Sequence, residues 1–324
     1  MKLSIIVPIY NVEDYLDECI SSLYLQELAL DDFEVLLIDD GSMDSSLAIA
    51  NKWAGIHYNI RVFHQENKGQ AAARNLGLDN ARGRNIMFVD SDDFILPKKL
   101  SGLLSQIQKN GLDALIYNLK VQRSDGTAVT LSVPGVRYNH VYSGEEVVLK
   151  YFVFGSMCRG IFSRSVFDDN GLRFKSGFTH EDSELCFRLY PLLKKIVFND
   201  AEVYFYRYNI QSTDRSKAIE KIRRNIESDA ILVSEIKKNI GNHLYSGAIE
   251  RRYTKILNSI MTTLFIRVKS CGIWNKDEFD DKIKQLEELG VYPIKGLTCS
   301  WRSFLFSKLY NRKFFLRLFL YGYK

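Results

Sequence analysis

The sequence feature that most constrains this chain is the segment Asn85–Asp93, in which a short apolar run leads directly into three aspartates. Residues 86–89 are all apolar, and Asp90, Asp92 and Asp93 follow within four positions. A short apolar run bounded by polar residues is typical of a buried strand. Carboxylates crowded at the end of such a strand repel one another and lose hydration, so they need a partner. A hard divalent cation, which prefers oxygen ligands and often binds with substrate phosphates, is the natural one.

The same acids also have a simpler interpretation, in which Asp92 or Asp93 caps a helix that begins near Pro97. In open α/β sheets, however, ligands bind beyond the carboxyl ends of the strands, which is where these acids are expected. Both interpretations are open on this segment alone, so the neighbouring segments have to be considered with it.

The composition is that of a folded protein and excludes several classes of function. The 324 residues are 46% hydrophobic and 26% charged, enough for one large domain or two smaller ones. The formal net charge of +5 is too small to indicate nucleic-acid binding by itself. The five cysteines form no Cys-x-x-Cys pair or Cys/His cluster, so the sequence predicts neither a zinc site nor disulfides and favours a reducing cytoplasm. No apolar run approaches the ~20 residues of a membrane-spanning helix.

Strand and helix patterns alternate along the first part of the chain. Largely apolar runs at 3–8, 33–38 and 60–64 predict three strands before the acidic one, of which the first is expected to be buried and the third to be shorter. Apolar residues spaced three and four apart predict helices between them. Pro8 cannot continue a central strand, so the chain is expected to turn there. Alternating strands and helices require crossover connections and therefore predict an α/β fold with a mostly parallel sheet flanked by helices.

Charged residues follow these strands, so several of them are expected along one edge of the sheet. Asp39 and Asp40 follow the second strand, and Lys68 and Arg74 come after the third. Acids and bases gathered at one edge suit a nucleotide site. No G-x-G-x-x-G follows the first strand and no Walker motif occurs, which weakens the case for a dinucleotide or P-loop site.

Four short motifs, taken in order, resemble those of family 2 glycosyltransferases. They are Val7-Pro8-Ile9-Tyr10-Asn11, Ile38-Asp39-Asp40-Gly41-Ser42, Asn67-Lys68-Gly69 with Ala73-Arg74-Asn75, and Asp90-Ser91-Asp92-Asp93. Each motif alone is weakly specific, whereas four in the same order and at the right spacing are strongly specific. The resemblance covers the chain up to roughly residue 200. It implies a GT-A fold, which is a Rossmann-like domain that binds nucleotide-sugars, and an inverting sugar transfer with Mn2+ or Mg2+.

The resemblance also implies which residues bind the donor. These residues are Pro8, Tyr10, Asp39, Asp40, Lys68, Arg74, Asp90 and Ser91. Pro8 and Tyr10 would lie against the uracil ring, and either Asp39 or Asp40 would accept from its N–H. Which of the two aspartates does so is left open. The fork of Arg74 suits either a phosphate or the acids of the metal-binding strand.

Asp90-Ser91-Asp92 corresponds to the D-x-D motif of the family. In that motif one acid meets the ribose hydroxyls and the other coordinates the metal. Asp92 is therefore expected to be a metal ligand, and Asp90 to contact the ribose, the metal or both. Asp93 would either assist or cap the following helix. Some relatives add a histidine ligand after a later Tyr-Arg strand, whereas residues 203–213 contain none, which leaves the coordination sphere open.

A second acidic pair, Glu181-Asp182, opens a predicted helix further along the chain. The resemblance implies that Asp182 is the catalytic base for the acceptor hydroxyl and that Glu181 orients it or serves in its place. Burial and the adjacent Glu181 are expected to raise the pKa of Asp182. The alternative is that both acids merely stabilise the start of the helix through its dipole.

The last third of the chain is predicted to be helical and to end in a basic, aromatic tail. We expect a glycosyltransferase domain at 1–215, with a donor half at 1–112 and an acceptor half at 113–215, and a helical region at 216–324. Residues 301–324 contain bases and aromatics but no acids, which is typical of a helix on an anionic membrane. A buried hairpin or a homodimer contact is the alternative.

Together these features predict a metal-dependent, inverting glycosyltransferase of the hexosyltransferase type that acts in capsular or other surface polysaccharide synthesis. Its donor would be a UDP-sugar and its acceptor a glycan or a polyprenyl-linked glycan, with no nucleic-acid partner. We expect it in the cytoplasm, or peripherally on the inner face of the plasma membrane. Three other functions are compatible with parts of the sequence: a nucleotidyltransferase, a catalytically silent sugar-nucleotide binder and a membrane scaffold. The sugar, the acceptor and the linkage position cannot be inferred from the sequence.

Overall fold

The structure, a computed structural model, describes residues 1–151, 155–209, 219–241, 245–296 and 298–322. The chain divides into two units. The first, here called the sheet unit, contains Met1–Ser176 and Glu181–Asn209. The second, the helical unit, contains Gly177–His180 and the described residues from 219 onwards. The domain boundary predicted at 215 falls outside the described residues.

A mixed sheet of ten strands, counted over the described residues, forms the centre of the sheet unit. The strands are β1 (Leu3–Ile9), β2 (Phe33–Asp39), β3 (Ile60–His64), β4 (Asn85–Phe88), β5 (Phe94–Ile95), β6 (Ala114–Gln122), β7 (Ala128–Leu131), β8 (Val141–Tyr142), β9 (Gly160–Ser163) and β10 (Ile196–Tyr206). Their order is β3-β2-β1-β4-β9-β6-β10-β5, with β7 beside β6 and β8 beside β10. β1, β2, β3, β4, β6 and β10 run in one direction, whereas β9 runs antiparallel to both β4 and β6. The predicted α/β fold with a mostly parallel sheet is confirmed.

Helices connect the strands of this unit. They are α1 (Glu13–Leu23), α2 (Ser46–Ile56), α3 (Gln70–Asn80), α4 (Leu100–Asn110), α5 (Gly144–Lys150), α6 (Arg164–Asp169) and α7 (Glu181–Leu189). Every residue of β1 and β2 is buried, as expected for parallel strands that are covered on both faces.

The first strand does not turn at Pro8, so that prediction is wrong. β1 continues to Ile9, and Ile9 O accepts a hydrogen bond from Asp40 N on the β2 side. Ile6 O accepts one from Val89 N on the β4 side. Because the backbone groups of successive residues point to alternate sides of a strand, Pro8 also faces the β4 side. The pairing with β4 ends at Ile6, so the missing N–H of Pro8 removes no ladder bond.

The helical unit is built from long helices followed by a short hairpin. Its helices are α8 (Ile219–Gly241), α9 (Gly247–Cys271), α10 (Phe279–Glu288), α11 (Trp301–Tyr310) and α12 (Lys313–Tyr321). Apolar residues at helical spacing face the core of this unit: Ile226, Val233 and Ile236 of α8 are buried. In the described ranges, none of the helices combines the length and the apolar character that a bilayer crossing requires.

Candidate active site

The acids that follow β4 form a turn, here called the acid turn (Asp90–Asp93), and do not cap a helix. Asp93 N donates to Asp90 O at 3.0 Å, and the short strand β5 follows at once. The next helix, α4, begins only at Leu100 with Lys99 as its N-cap. The helix-cap interpretation of Asp92 and Asp93 is therefore wrong.

Asp93 fixes the acid turn to the end of β10. It is 1% exposed, its Oδ2 accepts from the Tyr204 hydroxyl at 2.7 Å, and its Oδ1 accepts from Arg207 N at 2.8 Å. Burial raises the pKa of Asp93 to about 8, with smaller contributions from the charges of Asp90 and Asp92. Both of its oxygens are thus engaged in the architecture of the turn.

Asp90 and Asp92 each have one carboxylate oxygen that accepts no hydrogen bond from a described residue. Asp90 Oδ1 accepts from Arg74 Nη2 at 2.8 Å and from Gln70 Nε2 at 3.0 Å. Asp92 Oδ2 accepts from Asn209 Nδ2 at 3.2 Å. Burial, and then the charge of Asp90, raises the pKa of Asp92. Asp90 Oδ2 and Asp92 Oδ1 are therefore the oxygens that could meet a ligand.

The acid turn fits a metal that binds together with a substrate. Over the described ranges, no group of three or more His, Cys, Asp or Glu is arranged to hold a metal by itself. Mg2+ commonly takes one or two carboxylates and completes its shell with phosphate oxygens and water. A cation beside Asp92 would offset both causes of its raised pKa, which are burial and the neighbouring charge of Asp90.

Arg74 of α3 joins the acid turn to the start of α7. Its side chain is 2% exposed, and its Nη2 contacts Asp90 Oδ1 at 2.8 Å. Its Nη1 contacts Asp182 Oδ1 at 2.5 Å and Glu181 Oε1 at 3.1 Å. Burial opposes the charge of Arg74, but Asp182 and Asp90 outweigh it and raise the pKa of the guanidinium. Of the two contacts foreseen for Arg74, the structure shows the one to the acids.

Asp182 has the environment of a proton acceptor. Its Oδ2 accepts from Met157 N at 3.0 Å, and 16% of its side chain is exposed, so a substrate hydroxyl could reach it. Burial raises the pKa of Asp182 to about 6, against the opposing effect of Arg74, and Glu181 adds to the rise. Such a group is mostly ionised at neutral pH yet basic enough to take a proton. Because Asp182 contacts Arg74 and Met157 N, its role is not limited to stabilising the start of α7 through the helix dipole.

Asp39 and Asp40, at the end of β2, are both buried and both hydrogen-bonded to neighbouring segments of the chain. Asp40 Oδ1 accepts from Lys68 N at 2.9 Å, and Asp40 Oδ2 accepts from Gly69 N at 2.8 Å. Asp39 Oδ2 contacts His64 Nδ1 at 2.7 Å. Asp40 thus shapes the loop that precedes α3, and Asp39 ties β2 to β3.

The remaining donor residues differ in exposure. Tyr10, directly after β1, is 43% exposed, so its ring is available for stacking. The Lys68 side chain is also exposed, whereas Pro8 and Ser91 are buried. Tyr10 and Lys68 are therefore the ones whose side chains a ligand could contact without rearrangement.

The end of β10 and the residue after it support the acid turn, which the motifs did not predict. The Tyr204 hydroxyl accepts from Asp90 N at 3.1 Å and donates to Asp93 Oδ2, while Arg207 Nε donates to Asp92 O at 2.9 Å. The tyrosines of β10 and the arginine that follows the strand, with their hydrogen-bonding groups, were the available signal. The part of this segment beyond Asn209, up to residue 213, lies outside the described residues.

Comparison with known proteins gives a family for the chain's larger part. The family described as Glycosyl transferase family 2 matches residues 4–170. EpsJ of Bacillus subtilis, described as an uncharacterized glycosyltransferase, is 34% identical over 218 residues. That alignment covers 65% of this chain and 62% of EpsJ, so the chain spans less than two thirds of that relative.

Solved structures share the fold. Staphylococcus aureus TarS 1–349 in complex with UDP has a TM-score of 0.74 at 23% identity, covering 98% of this chain and 90% of that one. The mannosyltransferase PcManGT from Pyrobaculum calidifontis, in complex with GDP-Man and Mn2+, has a TM-score of 0.56 at 14% identity. It covers 99% of this chain and 85% of its own.

Proposed function

The chain belongs to glycosyltransferase family 2, and from that premise we propose that it transfers a sugar from a UDP-linked donor to an acceptor hydroxyl with inversion. The reaction depends on Mn2+ or Mg2+, and the acceptor is a surface glycan or a polyprenyl-linked glycan. The UDP of the TarS structure and the Mn2+ of the mannosyltransferase structure support this choice of donor and metal.

One observation carries the proposal: the buried guanidinium of Arg74 contacts both Asp90 of the D-x-D motif and Asp182. A displacement needs the donor and the base held in one geometry. A residue that fixes an acid on the donor side and the base on the acceptor side therefore supports a single reaction centre.

Asp182 takes the proton of the acceptor hydroxyl as the acceptor oxygen bonds to the anomeric carbon. The bond from that carbon to the diphosphate breaks on the opposite face, and UDP leaves with the electron pair, which accounts for inversion. Glu181 is a positioning residue in this scheme, because it is nearly buried and contacts Arg74 at 3.1 Å. Its charge also helps to keep Asp182 basic.

Asp92 Oδ1 and Asp90 Oδ2 are the oxygens that would hold the metal, with diphosphate oxygens and water completing the shell. When bound, the ion neutralises the charge that develops on the departing diphosphate. Asn209 positions Asp92 through its 3.2 Å hydrogen bond, and Asp93 stays engaged with β10.

The uracil ring stacks on Tyr10, and Asp39 or Asp40 accepts from its N–H. A base that lacks this donor would leave a buried carboxylate unpaired, which discriminates against it. Lys68 and the amides at the start of α3 add positive charge near the diphosphate, while Ser91 shapes the turn between the two motif acids.

The test is UDP release from UDP-Glc, UDP-Gal, UDP-GlcNAc and UDP-GalNAc in the presence of Mn2+. We expect at least one donor to be hydrolysed slowly without acceptor, and a chelator to stop the release. Asp92→Asn should lower the rate by ~100-fold or more, whereas Asp14→Asn, at an exposed position of α1, should not change it. Release that resists the chelator, or that persists in Asp92→Asn, would reject metal-dependent transfer. Tighter binding of GDP or CDP than of UDP would reject the donor.

A further inference from the structure

The helix α11 presents a face on which apolar and basic side chains lie together. The α11 face, as we define it, consists of Trp301, Arg302, Leu305, Lys308 and Leu309 of α11, together with Arg312, which lies two residues beyond the end of that helix. All six are exposed, and their spacing of one, three and four residues places the five helical ones on one side of α11. Trp301 is 69% exposed and Leu305 is 55% exposed, so most of the surface of each side chain is not packed against the helical unit.

The bases of this face have no acid partners among the described residues. Residues 301–322 contain no aspartate or glutamate. Arg302 lies over the Trp301 ring at 5.6 Å, and Lys308 lies over the Phe304 ring at 5.3 Å. These contacts leave the positive charges uncompensated.

The bases of the neighbouring helix α12 provide a contrast within the same hairpin. Lys313 Nζ lies 2.9 Å from Glu287 Oε1, and Arg317 Nη1 lies 3.6 Å from Asp280 Oδ2. The bases of α12 are therefore paired with acids of α10, whereas no described acid pairs with the bases of the α11 face. The unpaired positive charge of the hairpin lies on the α11 face.

The helices α11 and α12 pack against each other through the side of α11 that lies opposite the α11 face. Phe306 meets Phe319 with ring centroids 5.2 Å apart, and Tyr310 meets Phe319 at 4.6 Å. The exposed Trp301 and Leu305 are therefore not needed to hold the hairpin together.

A recess of about 460 Å³ adjoins the α11 face, since Leu309 belongs to both. Aromatic and aliphatic residues of α12 line most of it, and Lys269 is among the lining residues, with its Nζ 4.1 Å from the Phe319 ring. An apolar recess with one cation suits a molecule that has an anionic head and a hydrocarbon chain.

We propose that the α11 face binds the surface of a bilayer that contains anionic lipid. The bases attract the headgroups, and Trp301 and the leucines enter the boundary between headgroups and chains. A second copy of the same face is the weaker alternative, because an isologous contact would oppose like charges across the interface. Because the charges of the bases contribute to it, the attachment weakens as salt screens them.

The test is co-sedimentation of the full chain with vesicles of phosphatidylcholine alone or of equimolar phosphatidylglycerol and phosphatidylcholine. We expect binding only to the anionic vesicles. The triple variant Arg302→Glu, Lys308→Glu, Arg312→Glu should lose ~100-fold or more in partition, at about 1 kcal/mol per base. Trp301→Ala with Leu305→Ala should weaken binding without changing its dependence on salt.

A matched triple variant controls for total charge. Arg251→Glu, Lys276→Glu and Lys284→Glu change three exposed bases outside α11 and should keep wild-type binding. Equal partition of the wild type and the α11 triple variant would overturn the proposal, as would equal binding to both kinds of vesicle. A dimer in the absence of lipid that the α11 substitutions convert to a monomer would assign the face to a second copy instead. Circular dichroism and thermal melting establish that each variant is folded.

Discussion

The acid turn and the first turn of α7 both hold neighbouring carboxylates in largely buried positions, but the protein compensates their charges differently. At α7, Glu181 and Asp182 both contact the guanidinium of Arg74. In the acid turn, the side-chain carboxylates of Asp92 and Asp93 accept hydrogen bonds only from uncharged groups among the described residues, namely an amide side chain, a hydroxyl and a backbone N–H.

The pKa values show what this difference does. Burial raises the pKa of both Asp93 and Asp182, to about 8 and about 6 respectively, and contact with Arg74 opposes the rise at Asp182. An acid beside the guanidinium is thus suited to proton transfer near neutral pH. The acid turn keeps a surplus of negative charge, which favours the binding of a further cation.

Of the substitutions considered, replacing Arg74 should have the largest effect on both stability and transfer. In Arg74→Met three carboxylates lose the cation that they share, so we expect the free energy of unfolding to fall by about 3–5 kcal/mol and transfer to be abolished. Urea unfolding measures the first effect and UDP release the second.

Two variants complete this experiment. Arg74→Lys keeps the charge but not the planar fork, so it should recover part of the stability. Arg82→Met, at an exposed position, should change stability by no more than about 0.5 kcal/mol. If Arg74→Met unfolds at the same urea concentration as the wild type, the shared contact has no structural importance.

The pH dependence of transfer should test the pKa difference between the two acid clusters at Asp182. Asp182 must be ionised to accept a proton and its pKa is about 6, so kcat/KM should rise with pH through about 6 and level off above it. Asp182→Asn should lower the rate by ~100- to 10,000-fold while leaving UDP affinity unchanged.

Glu181→Gln is the matched control for this profile. It removes the neighbouring charge that raises the pKa of Asp182, so the rise in kcat/KM should move to lower pH. An unchanged profile in Asp182→Asn would show that another group is the base.

The smallest effect is expected at the hydroxyl that supports the acid turn. Tyr204→Phe removes the partner of both Asp93 Oδ2 and Asp90 N, which should lower the free energy of unfolding by about 1–2 kcal/mol. Tyr58→Phe removes a similar 2.8 Å bond to Asp31, but Tyr58 is 70% exposed and water replaces the lost partner, so a much smaller loss of stability is expected. Equal losses in the two variants would mean that the buried hydroxyl adds nothing.

Much of the fold could be predicted because each element carries its own local signal. The parallel strands and the amphipathic helices follow from hydrophobic periodicity, and the α/β fold and family 2 membership are confirmed. The prediction of a turn at Pro8 was wrong because proline is excluded only where both neighbouring strands pair, and the pairing of β1 with β4 ends at Ile6. The four residues of β9 have no periodic signal, and their antiparallel place in the sheet is decided by tertiary packing.

The members of the site were easier to predict than their connections. Asp90, Asp92 and Asp182 are marked by motifs, and their proposed roles are predictions that the experiments above address. The contact between Arg74 and Glu181 spans 107 positions in sequence, and no local pattern specifies it. The partner of Asp93 could not be predicted for the same reason. The Tyr204 hydroxyl lies far along the chain, and the local sequence is equally compatible with Asp93 capping a helix.

The position of β9 between β4 and β6 has a consequence for how the protein is made. β4 ends at Phe88, but its second neighbour begins only at Gly160, so a chain leaving the ribosome carries an open strand edge until that segment emerges. During this interval β6 is already available and can pair with β4 as an incorrect neighbour. Until β9 emerges, the unpaired backbone groups of β4 are therefore open to incorrect pairing, including pairing with other chains.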